Sequence, residues 1–276
     1  MTLTQAEKQA RVRREVGRHD AMIVAFSGGV DSSLLAAVAH EVLGDRAIAV
    51  VAKSPSLPQR ELRIALDVAN AIGISLRVVD TFELENEAYA RNDLDRCFFC
   101  KDELFTAIAA VQQETGIRHV AYGENADDVA DHRPGRRAAA EHQVIAPLRE
   151  AGLGKEDVRS LARAYGLAVW DKPAFACLSS RFPTGTRITR DLLDQVERSE
   201  DVLWDLGFRQ FRVRHHGDLA RIEVPREDLP RLLDVSEPVV SSLNAGVSHV
   251  DDLDDADVQQ MIADGFRATT DPAVIA

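Results

Sequence analysis

Long hydrophobic runs are missing from this chain. No stretch approaches the roughly 18 apolar residues that a membrane-spanning helix needs. The opening segment, MTLTQAEKQARVRREVG, is polar and helix-patterned and lacks the apolar centre of a secretion signal. A cytoplasmic, reducing setting with no membrane partner is therefore expected. Positive charge is also short. The 33 Lys and Arg stand against 45 Asp and Glu, a net charge of −12. That balance argues against broad attachment to nucleic acid or anionic membrane, while leaving room for a local basic pocket. A small molecule is the expected substrate. Internal repeats and low-complexity tracts are absent.

Cysteine is scarce, with only Cys97, Cys100 and Cys177 in 276 residues. Three cysteines allow a disulfide with one thiol left over, a metal site, a reactive sulfur, or small core residues. In a reducing compartment the C-x-x-C of DRCFFCKD favours metal or redox chemistry over a structural disulfide. Three thiolates without a fourth ligand make a poor structural zinc site, and no H-x-x-x-H pair or second C-x-x-C follows.

What is present reads as an α/β protein. The chain is long enough for one large domain or two modest ones. Apolar runs at 21–27, 47–54, 76–80 and 119–124 read as buried strands, and 31–43, 58–72 and 98–114 carry apolar residues at helical spacing. This alternation predicts right-handed βαβ units and a parallel sheet covered by helices on both faces. A further helix is expected at 155–166, ended by Gly166. Beyond about residue 173 the pattern changes. A Pro-, Ser- and Gly-rich loop leads to a helix near 189–206, then to two alternating runs around His216-Gly217-Asp218 that read as an antiparallel hairpin. A boundary within 173–187 divides the chain into residues 1–175 and a smaller α+β domain, 176–276. The acidic run 251–257 reads as a solvated face or turn.

The sharpest signal is AFSGGVDSSLLAAVA, residues 25–39. An apolar strand runs into Ser27, Gly28, Gly29, Val30, Asp31, Ser32 and Ser33, and a helix follows at once. Paired glycines permit a tight turn and close backbone approach to a ligand. A helix start presents N–H groups and positive dipole to phosphate. Ser32 and Ser33 add hydroxyls, and Asp31 can hold Mg2+ against the phosphates. No lysine lies in the loop, so this is not the Walker A pattern. The bland alternative is a glycine turn capped by Asp31 or Ser32. A second strand end, AYGENADDVADHRPG, places Asn125, Asp127, Asp128 and Asp131 where ligands of open α/β sheets bind. Its alternative is a polar turn with Asx capping.

The SGGVDSS string resembles the PP-loop of the ATP pyrophosphatase superfamily. That resemblance implies ATP cleaved between its α and β phosphates, with Ser27, Gly28, Gly29, Asp31, Ser32 and Ser33 cradling the phosphates and Mg2+. It also implies a nucleotide or magnesium role for Asn125 and Asp127. The segments GENADDVADHRPGRRAA, ACLSSRFPTGTRIT and FRVRHHGDLARIEVP further resemble the LarE sulfur transferases of nickel-pincer nucleotide biosynthesis, from about residue 20 to about residue 230. The resemblance implies adenylation of the two carboxylates of pyridinium-3,5-biscarboxylic acid mononucleotide in turn. A sulfur nucleophile then displaces AMP. Period two puts Arg212 and Arg214 on one strand face, suited to grip the mononucleotide phosphate; a solvent-facing strand is the alternative. Ser180 and Arg181, beside Cys177, are expected to orient the acyl adenylate, Ser180 alternatively capping a turn. Glu200 and Glu223 match acidic positions of the family with a metal role; a charged helix face and an exposed strand residue explain them too.

For the sulfur, two family types are in play. One sacrifices a single cysteine, here Cys177, and leaves dehydroalanine. The other holds a 4Fe–4S cluster on three cysteines, here Cys97, Cys100 and Cys177, with one iron open to a sulfide from a sulfide donor. Zinc, a redox disulfide or burial as small core residues remain as further alternatives. A homo-oligomer is implied by the same resemblance, whose nearest rival is a PP-loop tRNA thiolase.

Overall fold

The computed structural model describes residues 4–130, 134–236 and 239. Asp131 and the acidic run 251–257 lie outside the described residues. The chain divides into two compact units, Met1–Phe175 and Ala176–Ala276.

The first unit opens with α1 (Gln5–Val16), whose start is fixed by a reciprocal Thr4–Glu7 capping box. There follow β1 (Met22–Ala25), α2 (Val30–Leu43), β2 (Ala47–Lys53), α3 (Gln59–Ile72), β3 (Ser75–Asp80), α4 (Glu87–Ala90), α5 (Arg96–Thr115) and β4 (His119–Tyr122). Three more helices, α6 (Pro134–Glu141), α7 (Pro147–Glu150) and α8 (Lys155–Ala164), complete it. The strands form one parallel sheet in the order β3-β2-β1-β4. β1 is central and wholly buried. One face packs β1 and β2 side chains such as Val24 and Val51 against α1, α2, α3 and α8, for instance through Leu34, Leu35 and Leu161. The other face packs Ile23, Val50 and Tyr122 against Phe105 and Ile108 of α5 and Ala138 of α6. Apolar side chains on both faces of β1 thus account for its unbroken MIVA run.

The expected elements are present, with α5 beginning two residues earlier than expected. That shift brings Cys97 into the helix beside Cys100. Leu76–Asp80, expected to be buried, is not: β3 is largely exposed, with Val78 49% accessible. Among the described residues it is an edge strand with β2 as its only neighbour, so its apolar residues reflect strand propensity more than burial. Gly166 follows α8 with φ +70°, the left-handed turn that ends a helix.

In the second unit, α9 (Arg190–Asp205) is capped by the Thr189 side chain. It packs through Leu203 on a small core with Phe208, Val213, Leu232 and Val239. β5 (Arg212–His216) and β6 (Leu219–Glu223) form an antiparallel hairpin closed by Gly217 and Asp218, with Gly217 at φ +70°. α10 (Leu229–Asp234) follows.

Candidate functional site

Chain direction across the sheet reverses at β1: β2 lies on one side and β4 on the other. This switch point opens a crevice at the carboxyl ends of β1 and β4, where ligands of such sheets bind. The SGGVDSS loop lies there. Gly28 has φ +69°, and a Cβ on it would sit 2.7 Å from Ala65 Cα in α3. Both the backbone and the space demand glycine. Gly29 is the N-cap of α2 and makes no side-chain cap, so the alternative of a turn capped by Asp31 or Ser32 is not what is found. The first-turn N–H groups are therefore directed to the crevice without a side-chain acceptor from the cap. Ser32 stabilises the loop from within. Its hydroxyl accepts the Ser27 N–H at 3.2 Å and donates to the Gly29 carbonyl at 3.1 Å. Ser33 Oγ is buried and has no hydrogen-bond partner among the described residues.

Asp31 is gripped from two sides. Asn125 Nδ2 donates to Oδ1 at 3.1 Å, and Lys155 Nζ lies 2.5 Å from Oδ2. The ring closes through Asp127, whose N–H donates to Asn125 Oδ1 at 2.9 Å and whose carboxylate accepts the Lys155 N–H at 2.6 Å. Asn125 and Asp127 thus form the Asx-type turn foreseen as an alternative, and the turn is built onto the phosphate loop. Its partner Asp128 accepts the Asn125 N–H at 3.1 Å. Gly123 makes this approach possible, since a Cβ there would meet Ser32 N at 2.6 Å. Lys155 was missed by sequence reasoning. Its signal is a cation in the first turn of a helix, against the dipole preference for acids.

The two cysteines of DRCFFCKD lie three residues apart on one face of α5, Cys97 exposed and Cys100 half-buried. Neither they nor Cys177 is in a disulfide. Cys177 belongs to the second unit. Among the described residues, no three His, Cys, Asp or Glu side chains are gathered as a metal would need.

The second unit collects the remaining candidates. Arg181 is 1% exposed and lies at its centre. Its Nε and Nη2 grip the Glu200 carboxylate at 2.7 and 3.2 Å, and its Nη1 donates to the Ala176 and Cys177 carbonyls and to Ser180 Oγ. Ser180 Oγ donates to the Cys177 carbonyl at 2.7 Å, closing the turn after the cysteine. Glu200 also accepts the Val213 N–H at 3.1 Å. The alternative of a charged helix face for Glu200 fails: it is completely buried, neutralised by Arg181.

Arg212 and Arg214 share one face of β5 while Val213 turns into the core. Opposite them on β6 stand Glu223 and Arg221. Glu223 Oε1 holds Arg214 Nε and Arg221 Nη2, both at 2.7 Å. Burial alone would raise the Glu223 pKa, but the two guanidiniums hold it below the ordinary carboxylate value. Arg214 also donates to the Ser180 carbonyl at 3.2 Å, tying this face to the cysteine loop. Burial, then the charges of Arg181 and Arg214, lower the Arg212 pKa. Arg221 Nε is buried without a hydrogen-bond partner among the described residues. Three arginines and one glutamate share this face.

The chain is similar to several known proteins. A family model described as NAD synthase matches residues 6–96, the part of the first unit that contains the loop. The pyridinium-3,5-bisthiocarboxylic acid mononucleotide synthase of Lactiplantibacillus plantarum is 36% identical over 223 residues, 80% of this chain and 81% of the relative. The chain belongs to this synthase family. Its family membership places it among the PP-loop enzymes. An uncharacterized protein of Synechocystis sp. is 44% identical over 246 residues, covering 88% of this chain and 92% of the relative. A tRNA-specific 2-thiouridylase of Rickettsia felis is 29% identical over 192 residues, 56% of this chain and 53% of the relative. No helix among the described residues is long and apolar enough to cross a membrane.

Proposed function

We propose that this chain is an ATP-dependent sulfur transferase that converts the carboxylates of pyridinium-3,5-biscarboxylic acid mononucleotide to thiocarboxylates. The observation that carries this reading is kinship with the Lactiplantibacillus plantarum synthase over four-fifths of both chains. A carboxylate resists sulfur attack because its leaving group would be oxide. A carboxylate oxygen of the acceptor attacks the α-phosphorus of ATP, the bond to the β-phosphate oxygen breaks, and pyrophosphate leaves. Hydrosulfide then forms a C–S bond at the acyl carbon, the C–O bond to AMP breaks, and a proton passes to solvent.

The loop fits ATP and Mg2+. Its glycines leave room for phosphate, the first-turn N–H groups of α2 face that space, and Ser33 keeps an unused hydroxyl. The ammonium of Lys155 against Asp31 marks a position that accepts positive charge. In this reading Ser27, Gly28, Gly29, Ser32 and Ser33 hold the phosphates. Asp31, set by Asn125 and Asp127, exchanges Lys155 for the metal and frees that ammonium for phosphate. Arg212 and Arg214 bind the substrate phosphate, Glu223 holds Arg214 in place, and Arg181 with Ser180 orients the acyl group beside Cys177. Residues 1–175 act as the nucleotide domain and 176–276 as the substrate-binding and oligomerisation domain.

Cys97, Cys100 and Cys177 are assigned as holders of a 4Fe–4S cluster. The donor set suits it: soft thiols, two of them one helical turn apart and all solvent-reachable. When bound, such a cluster supplies an open iron for an incoming sulfide. A sulfide donor, a homo-oligomer and a cytoplasmic setting complete the proposal.

The test is anaerobic incubation with ATP, sulfide and the biscarboxylic mononucleotide. AMP, pyrophosphate and thiocarboxylate are expected, and ATP turnover driven by tRNA instead would overturn the reading in favour of a thiolase. Iron and acid-labile sulfide are measured on wild type and Cys97→Ala. Iron retained unchanged in the variant sinks the cluster, and loss of hydrogen sulfide from Cys177 after one turnover points to the sacrificial route.

A further inference from the structure

The carboxyl ends of β2 and β3 enclose a buried acid that the phosphate loop does not use. The two strands run in parallel register as far as the pair Lys53 and Asp80. The next residues, Ser54 and Thr81, therefore begin the two outgoing turns side by side. Ser56 and Glu83 follow on the same two segments. Glu83 is 1% exposed, Ser56 2% and Thr81 5%, while Ser54 is half-buried at the rim. Both serine hydroxyls donate to one carboxylate oxygen, Glu83 Oε1, that of Ser56 at 3.3 Å. The two hydroxyls also meet each other at 2.8 Å, and Ser54 Oγ accepts the Ser56 N–H at 3.0 Å.

The other half of the cluster is bare. Glu83 Oε2 and Thr81 Oγ1 are both buried, and neither has a hydrogen-bond partner among the described residues. The hydroxyls that hold Glu83 are neutral, and no ion pair to it is found among the described residues. A buried charge is expensive unless it is paired or binds a metal. A proton on Oε2 would remove the charge and then need an acceptor, yet Thr81 makes no hydrogen bond to it. A water would satisfy both bare oxygens and leave the charge uncompensated. A cation does both. Hard cations take oxygen ligands, and one carboxylate among neutral hydroxyls balances a single positive charge. We propose that Glu83 and Thr81, braced by Ser54 and Ser56, form a binding site for a monovalent metal cation, potassium or sodium.

This site goes beyond sulfur transfer and does not depend on it. All its residues lie in the first unit, and none is shared with Asp31, the proposed holder of Mg2+. The course of the chain shows what the ion would do. Ser56 leads to Pro58, the N-cap of α3. Ala65 of the same helix is the residue that a side chain at Gly28 would strike. Tying the turn after β2 to the turn after β3 therefore fixes the start of the helix that walls the phosphate loop. The ion stabilises the first unit without touching a phosphate.

Thermal melts of the full chain test this in potassium, sodium, magnesium or choline chloride at equal ionic strength. Choline is too large to enter a site among buried oxygens. Potassium or sodium is expected to raise the Tm above that in choline by about 2–4 °C when present at about tenfold its Kd. Glu83→Gln keeps an acceptor for the two serines and removes the charge, so it should abolish the difference between salts. Thr81→Val keeps the side-chain shape and the serine bonds to Glu83 but drops one ligand. It should raise the ion concentration that gives half the shift about fivefold, and it carries the test alone should Glu83→Gln not fold. Wild type that melts alike in every salt would overturn the site. So would a salt difference that survives unchanged in the variants, or a Glu83→Gln loss of Tm that is equal in every salt, the mark of a purely structural carboxylate. Stabilisation by magnesium but by neither potassium nor sodium would overturn the monovalent assignment.

Discussion

In the first unit, the proposed phosphate site is built from backbone N–H groups at a helix start and serine hydroxyls, beside one carboxylate paired to a lysine. In the second, the proposed site is side-chain guanidinium on a two-stranded ribbon, with Arg214 and Arg221 sharing one glutamate. In that reading the loop would select by shape, since its donors belong to the backbone and its geometry depends on the lack of two side chains, at Gly28 and Gly123. In the same reading the ribbon would select by charge, since its donors are long side chains, two of them held by Glu223. Steric change should therefore break the first site abruptly, and charge change should erode the second by steps.

Gly28→Ala tests the steric half and carries the largest expected effect. The added methyl meets the α3 backbone at 2.7 Å and forces a left-handed residue. Pyrophosphate release should fall by about 100-fold or more, the usual result of a misplacement near 1 Å. Activity near wild type would mean that the loop does not hold the reacting phosphates. Glu200→Ala should act on stability instead. It removes the carboxylate that Arg181 grips in the buried interior, a loss of about 3–5 kcal/mol that denaturant unfolding of the second unit would register. Next comes Arg212→Ala, expected to raise the KM for the mononucleotide by about 10- to 100-fold, with the KM for ATP unchanged in steady-state assays.

The smallest effect concerns pH. Arginines hold the folded-state pKa of Glu223 below its ordinary value of 4.5. Its contribution to stability is therefore fully present above that ordinary value and is lost as pH falls from there through the lower folded-state pKa. Thermal melts of wild type should decline across that acidic window, and Glu223→Gln should flatten the decline. An identical slope in both proteins would show that the ribbon does not depend on this carboxylate.

Much of the first unit was legible in the sequence because its information is local. An apolar run entering SGGVDSS specifies strand, turn and helix start within a dozen residues, and the sheet order places that junction at the crevice. The arginine pair was legible for the same reason: Arg212 and Arg214 share a face by strand periodicity. Lys155 was not, because its partner Asp31 lies 124 positions away. Glu200 was legible as an acidic position but not as a buried one, since its burial depends on Arg181 arriving from another loop. Val78 and its strand were misjudged because edge and centre strands carry similar apolar residues.

By itself, then, the sequence determined the alternation of strands and helices, the glycines of the phosphate turn and the face shared by the arginines. Each follows from steric limits or periodicities that act over a few neighbours. Only the tertiary structure decided which charges meet: Asp31 with Lys155, and Arg181 with Glu200. Coulomb attraction and desolvation depend on distance and burial, and crossover connections bring together residues that no local pattern links.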